Sequence, residues 1–94
     1  MSIKSKLLQA KINEADPSRA LEITEAAMAA TFAIANVEGE AIMGFIDAAA
    51  AIVANLSDDP AELCQIGADL GRVIYATAVI LNGNGEKPAW PTRH

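Results

Sequence analysis

Residues 41–56 read AIMGFIDAAAAIVANL, and the rest of the chain must be arranged around this segment. A step of about 100° per residue places its larger apolar side chains on one helical face. These residues are Ile42, Phe45, Ile46, Ala49, Ile52, Val53 and Leu56. Glu40, Asp47 and Asn55 fall on the opposite face. Such an amphipathic helix is stable only when its apolar face is covered, so other helices of this chain or a second copy must cover it.

Local signals divide the remaining sequence into helices. Asp-Pro pairs at 16–17 and 59–60 each offer an acidic N-cap followed by proline at the first helical position. Glu62 adds a capping-box residue to the second pair, and the Asn-Gly pair at 82–83 is a typical helix stop. We therefore predict an all-α antiparallel bundle of three to four helices, at about 2–13, 17–36, 41–56 and 60–82. Residues 1–83 form one domain, and residues 84–94 form an extended tail with Pro88, Trp90 and Pro91, in which we expect Trp90 to dock on the folded body.

The connection over residues 36–40 has two interpretations. Gly39 can end a helix, and a break there gives helices of matched length. Against a break, no good N-cap precedes Ala41, and the apolar faces on both sides stay in phase. A continuous helix of about 40 residues would be some 60 Å long, which is too long for a compact monomer. We predict the break at Gly39.

The helix predicted over 17–36 has a seam of small residues on one side. We define this seam as Ala20, Thr24, Ala27, Thr31 and Ala35. Small residues in a line let another backbone approach closely. A 94-residue chain buries only about 60–65% of its unfolded surface, and a core rich in alanine contributes little. We therefore expect self-association through the seam, as a homodimer or a larger assembly.

Charge and composition restrict the partners. The net charge is −5; residues 1–13 hold three lysines and no acid, whereas residues 14–94 hold four basic and twelve acidic residues. An acidic body argues against duplex nucleic acid and is compatible with a basic protein surface. The N-terminus does not resemble a signal peptide, and the uncharged runs are too short to span a bilayer. We expect a cytoplasmic protein that does not enter membranes.

The chemical inventory of the sequence is small. The single histidine, His94, is the last residue, so no Ser–His–Asp or Cys–His set can be assembled. Cys64 is the single cysteine, which excludes an internal disulfide, and we expect it to be a small buried side chain. The helical acids face outward without histidine partners, so we expect no metal. We predict a protein without a cofactor and without enzymatic activity.

The last helix carries the one pattern that suggests a ligand. Its core stripe includes Leu63, Ile66, Leu70, Val73, Ile74, Thr77 and Leu81, and its solvent side holds Gln65, Asp69 and Arg72. Gly67, Gly71, Arg72 and Tyr75 together suggest a glycine-lined groove for an anion or a base. The more ordinary interpretation pairs Arg72 with Asp69 across one helical turn and packs Tyr75 on a neighbour.

Two functions follow from these patterns. The leading one is a non-enzymatic protein-interaction module, an adaptor or inhibitor, that acts as a homo-oligomer and binds another protein through its acidic surface. The alternative is an oligomer that binds or sequesters a small anionic ligand, such as a nucleotide, at a subunit groove. In composition the chain resembles small acidic helical proteins encoded by phages and mobile elements, a likeness that transfers no site residue.

Overall fold

The computed structural model describes residues 3–86, and over these residues the chain is all-α without strands, as predicted. Its four helices are α1 (Lys6–Asn13), α2 (Pro17–Ile34), α3 (Glu38–Ala54) and α4 (Pro60–Gly83). They form a helical bundle that is packed at one end and open at the other. Most of the predicted tail, including Trp90 and its expected docking, lies outside the described residues.

The two Asp-Pro pairs start helices where the sequence predicts. The side chain of Asp16 accepts a hydrogen bond of 2.9 Å from the backbone N–H of Ser18. The side chain of Asp59 accepts one of 3.0 Å from the backbone N–H of Ala61. Proline occupies the first turn of both helices, where its missing N–H costs nothing. These local caps are why the starts of α2 and α4 are confirmed.

The break between α2 and α3 is present, but it does not lie at Gly39. Helix α2 ends at Ile34, Ala35 is extended with a ψ of 134°, and Gly39 lies inside the first turn of α3. The Glu40 carboxylate explains the shift. Its Oε1 accepts hydrogen bonds from the backbone N–H of Asn36 at 2.7 Å and of Val37 at 3.2 Å. The reciprocal half of a capping box thus starts α3, although Val37 has no side-chain acceptor.

Helix α1 begins at Lys6, four residues later than predicted. Ser5 is its N-cap, and the Ser5 hydroxyl accepts a 3.1 Å hydrogen bond from the backbone N–H of Leu8. The preceding residues are not helical because their N–H groups have a partner elsewhere, on α4. The apolar pattern of this segment gave no sign of that partner.

Burial is concentrated where α1 meets the end of α3 and the first half of α4. Leu8 and Ile66 are buried, and Ile66 has no exposed surface. The side chains of Val53, Leu56 and Leu70 are half-buried, and they line the junction together with Leu8. Helices α3 and α4 make the most extensive helix–helix contact among the described residues. This junction is the core of the chain.

Much apolar surface is uncovered, chiefly away from this junction. Among residues 3–86, fourteen large apolar residues are exposed, namely Ile12, Leu21, Ile23, Ile34, Val37, Ile42, Met43, Phe45, Ile46, Ile52, Ile74, Tyr75, Val79 and Ile80. Helix α2 has no buried residue. The predicted core stripes of α3 and α4 are therefore covered over only part of their length.

The size of the chain agrees with this open packing. Its Cα radius of gyration is 14.7 Å, whereas a compact domain of this length has about 12 Å. Its accessible surface is 7177 Å², compared with about 5,200 Å² for a folded monomer of this mass. A single chain thus exposes about 2,000 Å² more than a compact monomer would.

Helix α4 is also a weak candidate for a membrane span. Among the described residues it is the one helix that is long enough and apolar enough to cross a bilayer, by length and composition alone. Near its middle it carries an ion pair between the buried Asp69 and the exposed Arg72, and a bilayer interior disfavours such charges. The absence of a membrane segment stays a prediction.

Candidate functional site

The four residues predicted to bind an anion lie on the outer surface of α4. A Cβ atom built on Gly67 or Gly71 would meet nothing within 4 Å, so neither glycine lines a wall within one chain. Tyr75 is 72% exposed. The Arg72 guanidinium forms an ion pair with Asp69, as in the more ordinary interpretation. The structure brings these residues to one strip of surface without forming a pocket from them, and ligand binding there stays a prediction.

Asp69 is the largest departure from the sequence-based expectation. The sequence predicts a solvent-facing side chain on α4, but Asp69 is fully buried. Its Oδ2 accepts a 2.8 Å hydrogen bond from the backbone N–H of Ser5, and its two oxygens lie 3.1 and 3.2 Å from the backbone nitrogen of Lys4. Gln65 Nε2 donates to Oδ1 at 3.2 Å. The segment before α1 covers Asp69 because the unpaired N–H groups there need an acceptor.

The electrostatics of this Asp69 cluster favour the ionised carboxylate. Burial by itself raises the pKa of Asp69, but the hydrogen bonds from Ser5, Lys4 and Gln65 and the charge of Arg72 outweigh it and hold the pKa below its usual value. Each of these donors satisfies part of a carboxylate that would otherwise be costly to bury. Asp69 is therefore a fixed anion at neutral pH.

Ser5 connects the cluster to the start of α4. Its hydroxyl donates a 3.3 Å hydrogen bond to Glu62 Oε1 and accepts from the N–H of Leu8. The sequence does hold a signal for this cluster, because Glu62, Gln65, Asp69 and Arg72 follow each other at spacings of three, four and three. That spacing places a polar stripe along one face of an otherwise apolar helix. The stripe indicates a polar contact for another segment, whereas the helical pattern predicts that Gln65, Asp69 and Arg72 lie in solvent. The capping box predicted for Glu62 is also wrong, because the backbone N–H of Asp59 donates to Ser57 Oγ at 3.0 Å.

The chemistry available to the cluster is structural. Every identified partner of the Asp69 carboxylate is a hydrogen-bond donor or a cation, so the carboxylate is engaged by the protein itself. Among residues 3–86 no group of three His, Cys, Asp or Glu side chains is placed to hold a metal ion. Cys64 is exposed, contrary to the expectation of a small buried side chain. The cluster anchors α1 to α4.

A concave, mostly apolar surface lies between α2 and α3. We call it the α2–α3 groove; its volume is about 500 Å³. Its walls are Ala30, Thr31, Ile34 and Ala35 from α2 and Ala41, Gly44, Phe45 and Ala48 from α3, and Asn36 and Glu40 close one end. Small side chains dominate both walls, and the space above Gly44 is empty to at least 4 Å. The groove is wide open to solvent and apolar along its floor.

The predicted seam of α2 runs into this groove. Ala35 is buried, Ala27 and Thr31 are half-buried, and Ala20 and Thr24 are exposed. Both threonine hydroxyls donate to the backbone of the preceding turn, Thr24 to the Ala20 oxygen at 3.0 Å and Thr31 to the Ala27 oxygen at 2.7 Å. Because the hydroxyls are satisfied within the helix, the threonines present an apolar face at the seam. Its C-terminal half lines the groove, and its N-terminal half is free of contacts that would bury it.

The chain matches no protein-family model, no curated protein and no solved structure. Its function is therefore inferred from its own surface, which offers two features. One is the buried Asp69 cluster, which holds the chain together. The other is the α2–α3 groove with the exposed apolar side chains around it, which faces outward and remains uncovered.

Proposed function

We propose that this chain is a non-enzymatic protein-interaction module of the adaptor or inhibitor type, that it acts as a homo-oligomer, and that it works in the cytoplasm. The observation that supports the proposal best is the exposed apolar surface of α2, the first half of α3 and the second half of α4. Soluble monomers rarely expose contiguous apolar patches of more than a few hundred Å². Here fourteen large apolar side chains are exposed among residues 3–86, and most of them lie on these three segments.

The composition of this exposed surface fits a permanent assembly. Obligate interfaces resemble a domain core cut in half, with large aliphatic and aromatic residues at their centre. Ile42, Phe45 and Ile46, which form the uncovered half of the α3 stripe, have that composition.

The charged surface of the assembly suggests what it binds. The turn between α3 and α4 presents Asp58 and Asp59 to solvent, and the net charge of each chain is −5. Two copies together carry twice that charge, which raises the rate of encounter with a basic protein surface and repels nucleic acid. A basic protein is the partner that this surface favours.

The alternative of a small anionic ligand has less support. The one arginine of its site, Arg72, already pairs with the buried Asp69 carboxylate. An anion at Gly67 or Gly71 would have to compete with that carboxylate for the guanidinium. The acidic body around the strip also disfavours a further negative charge.

Native mass spectrometry of the protein purified from its own host tests the proposal. We expect a dimer or larger oligomer without a bound nucleotide, and sedimentation equilibrium at low micromolar concentration should give the same subunit count. A thermal-shift screen with nucleotides should leave the melting temperature unchanged. A monomer of about 10 kDa, or a retained nucleotide that raises the melting temperature, would contradict the proposal.

A further inference from the structure

We propose that the α2–α3 groove is filled by the N-terminal half of α2 from a second copy of this chain, so that two copies pair their α2 helices antiparallel about a two-fold axis near Ala27 and Met28. The inference rests on the proposed homo-oligomer and specifies its interface. It accounts for two features together: a helix without a buried residue and an apolar groove without an occupant at the end of that helix.

The groove has the shape that a helix needs. Its walls are mostly alanine, glycine and threonine, and small residues allow helix axes to approach to about 8 Å. The N-terminal half of α2 has the complementary shape, because the small seam residues Ala20 and Thr24 are flanked by the exposed side chains of Leu21 and Ile23. When the seam enters the groove, these larger side chains lie over its rims, where Ile34 is 78% exposed.

The seam is symmetric about its own midpoint, as a two-fold axis requires. Ala20 and Ala35 are equally far from the midpoint between Ala27 and Met28, and so are Thr24 and Thr31. In an antiparallel pair Ala20 therefore meets Ala35 of the second copy and Thr24 meets Thr31, while Ala27 lies beside the axis, opposite Met28. An isologous interface needs one surface that is complementary to itself. The seam meets that requirement because its groove half and its free half carry the same residue types in reverse order.

The charges of α2 are compatible with this pairing. Glu22 and Glu25 lie on the side of the helix away from the seam, and both are exposed, so they remain in water when the seam is covered. The interface is apolar on both sides and covers the exposed side chains of Leu21 and Ile23. A second copy of this chain offers both the groove and the helix that fits it.

Disulfide trapping tests the inference. In a Cys64→Ala background, which removes the exposed native thiol, Ala27→Cys places a thiol near the proposed axis. The matched control is Ala29→Cys, which makes the same change on the same helix but on the opposite side. At about 1 μM chain in a glutathione redox buffer, we expect Ala27→Cys to form a covalent dimer and Ala29→Cys to remain monomeric, because a disulfide needs Cα atoms within about 7 Å.

A second pair of variants protects the test against misfolding of the first. Thr24→Cys mixed with Thr31→Cys should give a covalent heterodimer in preference to either homodimer, because the symmetry brings residue 24 next to residue 31 of the second copy. Circular dichroism must show wild-type helix content for each variant used. If both pairs of variants give the expected cross-links, the proposed two-fold axis is supported.

Three results would overturn the inference, and they separate it from the proposed function. If sedimentation gives an oligomer but the control cross-links as well as Ala27→Cys, or neither does, the interface lies elsewhere and self-association stands. If the chain is monomeric and uncross-linked, both proposals fail. If the chain is monomeric and floats with vesicles of phosphatidylcholine and phosphatidylglycerol, lipid covers the apolar surface instead of a second copy.

Discussion

Replacing Asp69 with asparagine should release α1 from α4. The variant keeps the size of the side chain but removes its charge and turns one acceptor oxygen into a donor amide. In the wild-type protein the backbone N–H groups of Lys4 and Ser5 and the side chain of Gln65 all donate to this carboxylate, and Arg72 forms an ion pair with it. An amide can satisfy at most part of these donors and leaves the charge of Arg72 without its partner.

The loss should be visible as a change in melting temperature. Hydrogen bonds to a charged acceptor are among the stronger ones, and in a chain of this length the loss of even one lowers the melting temperature by about 6–12 °C. The contribution of the Asp69 carboxylate to stability also depends on pH. Because the pKa of Asp69 is lowered in the folded state, its stabilising effect is fully present above the unfolded pKa of about 4 and is lost as the pH falls through the folded pKa.

Circular dichroism melts of the wild type and Asp69→Asn from neutral pH down to about pH 3 measure both effects. We expect a constant difference in melting temperature above about pH 5, which narrows below about pH 4 as the wild-type carboxyl takes up its proton. Asp47→Asn is the control, because it changes the same residue type at an exposed position of α3. If Asp69→Asn and the control have the same melting temperature at neutral pH, the cluster does not hold α1 in place.

Three further substitutions test the packing. Ile66→Ala should lower the free energy of unfolding by about 3 kcal/mol because Ile66 is fully buried, and urea denaturation should show a much smaller change for the exposed Ile74→Ala. Glu40→Ala should cost about 1 kcal/mol in the same assay by removing the acceptor that starts α3, so an unchanged midpoint would refute the assigned cap. Gly71→Ala should stabilise a single chain by up to about 1 kcal/mol, since the added Cβ meets no other atom. If sedimentation shows that this variant associates more weakly than the wild type, the surface of α4 around Gly71 is a second contact between copies.

The features that sequence predicted well are those set by neighbouring residues. The starts of α2 and α4 follow from Asp-Pro pairs whose caps lie within two residues of their targets. The α2–α3 break was misplaced by a few residues because its cap is Glu40, which reaches backward from inside the helix. The exposed halves of the α3 and α4 stripes reflect the limited reach of a short chain, which no local pattern reveals.

Asp69 was missed for a different reason. Its side chain resembles a solvent-facing residue within α4, and only the distant segment before α1 makes it a buried one. The polar stripe that contains it predicts a contact but does not identify the partner, because backbone N–H groups leave no signature in the sequence. The seam of α2 was predicted as a unit, yet the structure divides it between a half that lines the groove and a half that is uncovered.

The hydrogen bond between Ser5 and Asp69 also sets the order in which the protein can assemble during synthesis. The two residues are 64 positions apart, and a ribosome that adds about 5–20 residues per second needs about 3–13 s to make the chain between them. A short helix forms within about a microsecond, so α1 is complete long before its acceptor exists. During those seconds α1 has no helix to anchor it, and at eight residues it is too short to persist alone. Of the four described helices α1 is synthesised first, yet it cannot be anchored until Asp69 of α4 has been made.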